Sequence, residues 1–70
     1  MPSPSLVLET VTDLTERCDR CAAAAQLLAR LHTGGVLTFC GHHANAYAGL
    51  IARTAAMVGT AEGFVWRGAP

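Results

Sequence analysis

The chain has no lysine, one tryptophan, one tyrosine, two phenylalanines and three cysteines. Without lysine, its five basic side chains are all arginine, and five acidic residues balance them to a net charge of +0. That balance argues against a protein that grips nucleic acid mainly through phosphates, which needs a basic stripe or patch. Charged residues make up only 14% of the chain and hydrophobic ones 51%, with a mean hydropathy of +0.33. Such a composition is too apolar for a disordered segment. Three cysteines cannot pair completely, so a secreted disulfide framework is disfavoured, whereas cysteine beside histidine in a reducing compartment points to metal binding. Met1 to Ser5 carry two prolines, two serines and no basic residue, unlike the start of a signal peptide. The longest stretch without Asp, Glu, Lys or Arg runs from Leu31 to Ala52, but its three histidines, Asn45 and four glycines make it too polar to span a bilayer. These absences give the expectation of a cytoplasmic protein with no membrane partner. Seventy residues leave room for one domain, which at this size buries only roughly 60% of the surface its unfolded chain exposes.

Along the chain, residues 1–13 read as a leader or arm, 14–59 as a metal-binding domain and 60–70 as a tail. From Leu6 to Glu16 the apolar positions Val7, Val11 and Leu14 fit either a short helix or an extended arm. Residues 22–31 carry two signals. Their alanines and leucines favour helix, yet Leu27, Ala29 and Leu31 alternate with Gln26, Arg30 and His32 as a strand would. Thr33-Gly34-Gly35 supplies a turn and Val36 to Phe39 has strand composition, so a hairpin is the favoured reading and a helix its rival. From about Gly41 to Val58 the spacing of Tyr47, Leu50, Ile51, Ala55 and Val58 predicts a helix, with Gly59 as its C-terminal cap. The apolar stripe extended one turn back reaches His43, which predicts His43 inward and His42 outward. In the tail, Phe64 and Trp66 stand at strand spacing. They either lie across the core or face a partner, and Trp66 and Arg67 are candidate partner contacts because aromatic residues and arginine dominate binding hot spots.

The chemistry is concentrated in Cys18-x-x-Cys21 and Cys40-x-x-His43. Two short-range pairs of thiolate and imidazole donors are the arrangement of a structural zinc site, a closed tetrahedron with no place for substrate. A tight turn at each pair aims both side chains at one ion. The fold class that follows is a small α+β zinc-stabilised domain, treble-clef or zinc-ribbon-like, with a β-hairpin followed by an α-helix. Zn2+ is the implied cofactor, Cys18, Cys21, Cys40 and His43 its ligands, and His42 a candidate substitute ligand. Energetics point the same way, because small scaffolds need a staple and structural zinc contributes on the order of 10 to 16 kcal/mol in finger peptides. Three thiolates and one dication leave a net negative site, which Arg17 and Arg20 are placed to offset.

Arg17-Cys18-Asp19-Arg20-Cys21, the Gly34-Gly35 turn and Leu37-Thr38-Phe39-Cys40-Gly41-His42-His43 resemble a family of short actinobacterial and phage proteins of unknown function. The likeness covers about Leu14 to Tyr47 and implies a zinc-ribbon or treble-clef-like fold, with Cys18, Cys21, Cys40 and one of the two histidines as ligands. One departure is Ala22, which stands where the family has glycine after the second cysteine. A left-handed backbone there would cost alanine on the order of 1 kcal/mol.

The functional expectation is a non-enzymatic zinc mini-domain that binds another protein or itself, since its apolar surplus and balanced charge suit such partners. A small nucleic-acid-binding finger is the alternative, which needs Arg17, Arg20, Arg30 and Arg53 on one face. A thiol redox sensor built on Cys18 and Cys21 is the second alternative. A nuclease using His42, His43 and Asn45 would lack ligands for a catalytic cation once His43 is taken, and an iron–sulfur cluster would want a fourth cysteine.

Overall fold

The computed structural model describes residues 6–69. The Pro/Ser start of the leader and the final Pro70 lie outside the described residues. Among these described residues, four strands and two short helices follow in the order β1 (Val7–Val11), β2 (Leu27–Leu31), β3 (Val36–Phe39), α1 (Gly41–Ala46), α2 (Ala48–Thr54) and β4 (Ala55–Ala61). They form a small α+β domain with one four-stranded sheet in the order β1-β4-β2-β3. β4 is parallel to β1 and antiparallel to β2, and β2 is antiparallel to β3. Among the described residues no helix is long and apolar enough to cross a membrane.

The ambiguous 22–31 segment resolves as the hairpin. Leu27 pairs with Phe39 and Ala29 with Leu37, which puts the alternating apolar set on one face. Leu27 and Ala29 are fully buried there, while Arg30 and His32 are exposed. Helix propensity loses because a strand at this place hydrogen-bonds on both sides, to β3 and β4, and buries its apolar face at the same time. The turn closes through the Leu31 N–H to the Gly35 carbonyl at 2.8 Å, with Gly34 at φ +100°. Glycine reaches that left-handed conformation without steric cost.

The single helix predicted from Gly41 to Val58 is not formed. α1 ends at Ala46, Tyr47 sits between the helices at φ −106° and ψ 21°, and α2 stops at Thr54. From Ala55 the chain enters the sheet as β4, where Ala55 and Val58 are buried as strand residues. The slot between β1 and β2 offers backbone partners on both sides, and β-branched Val58 and Thr60 suit it better than a helix. Gly59 is therefore not a helix cap. It lies inside β4 opposite Glu9 of β1 and Leu28 of β2, where a Cβ would come within 2.5 Å of Val11 Cγ2. Leu50, assigned to the core by the helical stripe, is exposed, whereas Ile51 beside it is buried.

β1 falls in the stretch read as an arm, and β4 runs across the 59/60 boundary of the predicted domain. The extended reading of Leu6 to Glu16 holds for Val7–Val11, which joins the sheet. No strand forms after Ala61 among the described residues. Instead the tail crosses the core, and Trp66 is buried with its indole N–H donating to the Ala44 carbonyl of α1 at 2.9 Å. Trp66 is thus a core residue and not an exposed partner contact. Arg67 is exposed, and its backbone N–H donates to Asn45 Oδ1 at 2.8 Å. The core gathers Leu27, Ala29, Phe39, Ala44, Ile51, Ala55, Val58 and Trp66 around Cys18 and Cys40. The sulfurs therefore belong to the apolar interior that the small chain assembles.

Candidate metal centre

Cys18 and Cys21 sit on a tight turn held by its own backbone. The Cys18 N–H donates to the Ala23 carbonyl at 2.7 Å, and the Ala22 N–H returns to the Cys18 carbonyl at 2.9 Å. Ala22 takes φ +64°, the left-handed conformation that the glycine-for-alanine departure raised. Beyond the turn, Arg17 bridges Ala24 and the Ala25 N–H donates to the Glu16 carbonyl at 3.0 Å, so the turn caps a miniature antiparallel ladder. The Arg20 N–H points at Cys18 Sγ from 3.4 Å.

Cys40 follows β3 directly and is the N-cap of α1, with φ −70° and ψ 171°. Its sulfur accepts the His43 N–H at 3.5 Å, which fills the capping role that an oxygen usually plays. The extended cap conformation turns the chain so that His43, the third residue of the helix, projects back over Cys40. His43 Nδ1 lies 3.4 Å from Cys40 Sγ and 3.5 Å from Cys18 Sγ, and Cys21 Sγ is 3.7 Å from Cys40 Sγ. The ligand atoms of Cys18, Cys21, Cys40 and His43 all lie within 4.8 Å of one another, a group that could hold a metal ion. All three cysteines are free thiols. Cys18 and Cys40 are buried, His43 is half-buried and Cys21 is exposed, so the centre has one side open to solvent.

His42 is exposed and stands outside the group, its ring meeting that of His43 edge-on at 5.1 Å. On its other side His43 stacks on Tyr47 with centroids 6.0 Å apart and planes at 11°, which holds the plane of the imidazole. Ligation through Nδ1 places the imidazole proton on Nε2.

Burial acts to raise the Cys18 thiol, but backbone N–H groups of Cys40, Arg20 and Cys21, together with the Cys21 thiol, bring it down from 9.0 to about 6. Cys21 moves the other way. The Ala23 N–H lowers it, and desolvation, the Cys40 and Cys18 side chains and the charge on Cys18 together raise it above 9.0. One thiolate is thus favoured in the metal-free cluster and its neighbour holds a proton. A cation would displace that proton and accept the remaining charge, because thiolate is the ligating form.

Two residues that carried no signal in the spacing of cysteines and histidines lock the halves together. Asp19, between the first two cysteines, accepts the Thr38 N–H on Oδ2 at 2.8 Å, and its own N–H donates to the Thr38 carbonyl at 2.9 Å. Buried Thr38 sends its hydroxyl to the Arg17 carbonyl at 2.6 Å. A buried threonine two places before Cys40 can be read from sequence only once its strand face is known. Of the two arginines placed to offset the sulfurs, Arg20 holds its guanidinium 5.6 Å from the centroid of Tyr47, and Arg17 is exposed.

No curated protein and no solved structure matches the chain. A family model does, over residues 12–65, a span that holds all four clustered ligand residues and leaves β1 outside. The chain accordingly belongs to the family described as Domain of unknown function (DUF7455).

Proposed function

We propose that the protein is a non-enzymatic, zinc-stabilised mini-domain of treble-clef-like layout that serves as a protein-interaction module in the cytoplasm. One observation carries the reading: the separations within the Cys18, Cys21, Cys40 and His43 cluster. Zinc bonds of about 2.3 Å to sulfur and about 2.05 Å to nitrogen, at tetrahedral angles, require S···S of about 3.8 Å and S···N of about 3.6 Å. The pairs at 3.7, 3.5 and 3.4 Å fit those edges. Three soft thiolates and one imidazole also match zinc rather than a hard cation. Bound there, zinc supplies a structural crosslink between the turn at residues 18–21 and the start of α1.

All four donors are consumed in closing the tetrahedron, which supports a structural role over catalysis. Charge supports a protein partner over nucleic acid. Arg30 lies on the opposite sheet face from Ala29, whereas Arg20 lines a groove on the Ala29 side, so the basic groups are divided between two faces. Phosphate-driven binding needs them on one.

Native mass spectrometry with and without a chelator tests the metal. One zinc per chain is expected, with loss of dispersed amide NMR signals on its removal. His43→Ala is expected to abolish zinc retention and His42→Ala to preserve it. A metal-free chain that keeps its fold overturns the reading.

A further inference from the structure

A groove of about 430 Å³ runs between the β2–β3 hairpin and α2. Leu31, Leu37, Phe39 and Leu50 make most of its apolar lining, and Asp19 and Arg20 are the charged residues along it. Its lips are exposed, with Leu37 at 39% and Leu50 at 52% of their free surface. Apolar side chains on a trough of this kind favour an apolar occupant, and polar groups at one end orient it.

The two charged residues are not equivalent. The Asp19 carboxylate is turned toward β3, where its Oδ2 accepts the Thr38 N–H at 2.8 Å. Arg20 forms no ion pair among the described residues, and its guanidinium rests over the Tyr47 ring. A guanidinium held against an aromatic face keeps its edge N–H groups free, and it has lost part of its rotamer freedom before any ligand arrives. The groove therefore pairs an apolar trough with one pre-oriented, unpaired cation. A carboxylate beside apolar side chains complements it. Because the exposed lips at Leu37 and Leu50 both need covering, a segment of polypeptide suits the groove better than a molecule that sits only in its floor.

We propose that this groove docks a short segment of a partner protein in which one or two apolar side chains fill the trough and an adjacent Asp or Glu pairs with Arg20. The proposal rests on the interaction-module reading and names the chemistry of the partner. Arg20 is suited to a recognition role that leaves the metal cluster intact, because the cluster uses only its backbone N–H and the groove only its side chain.

The test uses the zinc-loaded full chain and two blocked peptides in a Gly-Ser background, each with two leucines followed by aspartate or by asparagine. Binding is followed by fluorescence anisotropy and by amide shifts of residues 29–31, 37–39 and 47–54. Saturable binding of the aspartate peptide is expected, roughly tenfold tighter than that of the asparagine peptide, consistent with a charge-assisted bidentate contact. Arg20→Gln is expected to erase that difference, and Leu50→Ser to weaken both peptides. No saturation at millimolar peptide, equal affinities in the unmodified chain, unchanged binding in Leu50→Ser, or tighter binding of octanoate than of either peptide would overturn the proposal. Zinc content is measured on every sample. Zinc retained without peptide binding sinks the groove alone, and peptide binding by a chain that holds no zinc sinks the metal reading alone.

Discussion

Asp19 and Thr38 exchange two hydrogen bonds, the Thr38 N–H donating to the Asp19 carboxylate at 2.8 Å and the Asp19 N–H to the Thr38 carbonyl at 2.9 Å, and so dock the Cys18–Cys21 turn onto the edge of β3. Thr38 is two residues before Cys40. The contact therefore sets the distance between the two ligand pairs before any ion binds, and it also covers part of a strand edge that would otherwise invite pairing with another chain. Outer contacts of this kind hold metal ligands in position. Asp19→Ala is expected to weaken zinc affinity by about 10- to 100-fold in competition with a chromogenic chelator. Asp19→Asn retains an acceptor oxygen and is expected to stay closer to the parent chain. Equal affinities for all three proteins would rule out a positioning role.

Ala22 at φ +64° pays the steric penalty of a Cβ in a left-handed conformation. Ala22→Gly is expected to stabilise the zinc-loaded fold by about 0.5–1 kcal/mol, the penalty being partly offset by the greater freedom of glycine in the unfolded chain. Urea denaturation at fixed free zinc measures it. A destabilised Ala22→Gly protein would show that the turn does not hold this conformation in solution.

Gly59 leaves room for Val11 of the neighbouring strand, since a Cβ would stand 2.5 Å from Val11 Cγ2. Gly59→Ala is expected to cost about 1–3 kcal/mol through overpacking. Adding Val11→Ala should recover part of that loss, because the clashing methyl is removed. The non-additivity of the two substitutions is the readout, and purely additive losses would contradict the pairing of β1 with β4 at this register.

The Cys18 thiol is brought down to about 6 in the folded chain from 9.0. A depressed value means that the folded state favours thiolate. Its contribution to stability is complete above pH 9 and disappears as pH falls through about 6. Thermal denaturation between pH 5 and pH 9, at a chelator-buffered zinc level, is expected to show stability rising with pH, reinforced by proton competition for the ligands. A flat profile across that window would count against the thiolate cluster.

Much of the centre was legible in the chain itself. Two-residue gaps in Cys18-x-x-Cys21 and Cys40-x-x-His43 can be closed by one turn each, so the local geometry follows from spacing alone. His43 faces inward as read, although the stripe behind that reading ran through a single helix to Val58; its first step survives because the Tyr47 N–H still bonds the His43 carbonyl across one helical turn. The hairpin was readable from the alternation of Leu27, Ala29 and Leu31 and from the glycines of the turn.

Beyond those local features the chain was ambiguous, and distant partners decided. Ala55 to Val58 continues a helical stripe as well as it forms a strand. It becomes β4 because β1 and β2 flank it with unsatisfied backbone groups, an influence no window around residue 55 contains. Trp66 could face a partner or the core until the Ala44 carbonyl is placed beneath its indole. The Asp19–Thr38 contact likewise joins residues 19 positions apart. Short-range spacing and turn chemistry were thus written in the sequence, since they depend on a few consecutive dihedrals. Strand partners, the buried tryptophan and the clamp between the ligand pairs were decided only by the tertiary structure, where burial and backbone pairing outweigh local propensities of a few tenths of a kcal/mol per residue.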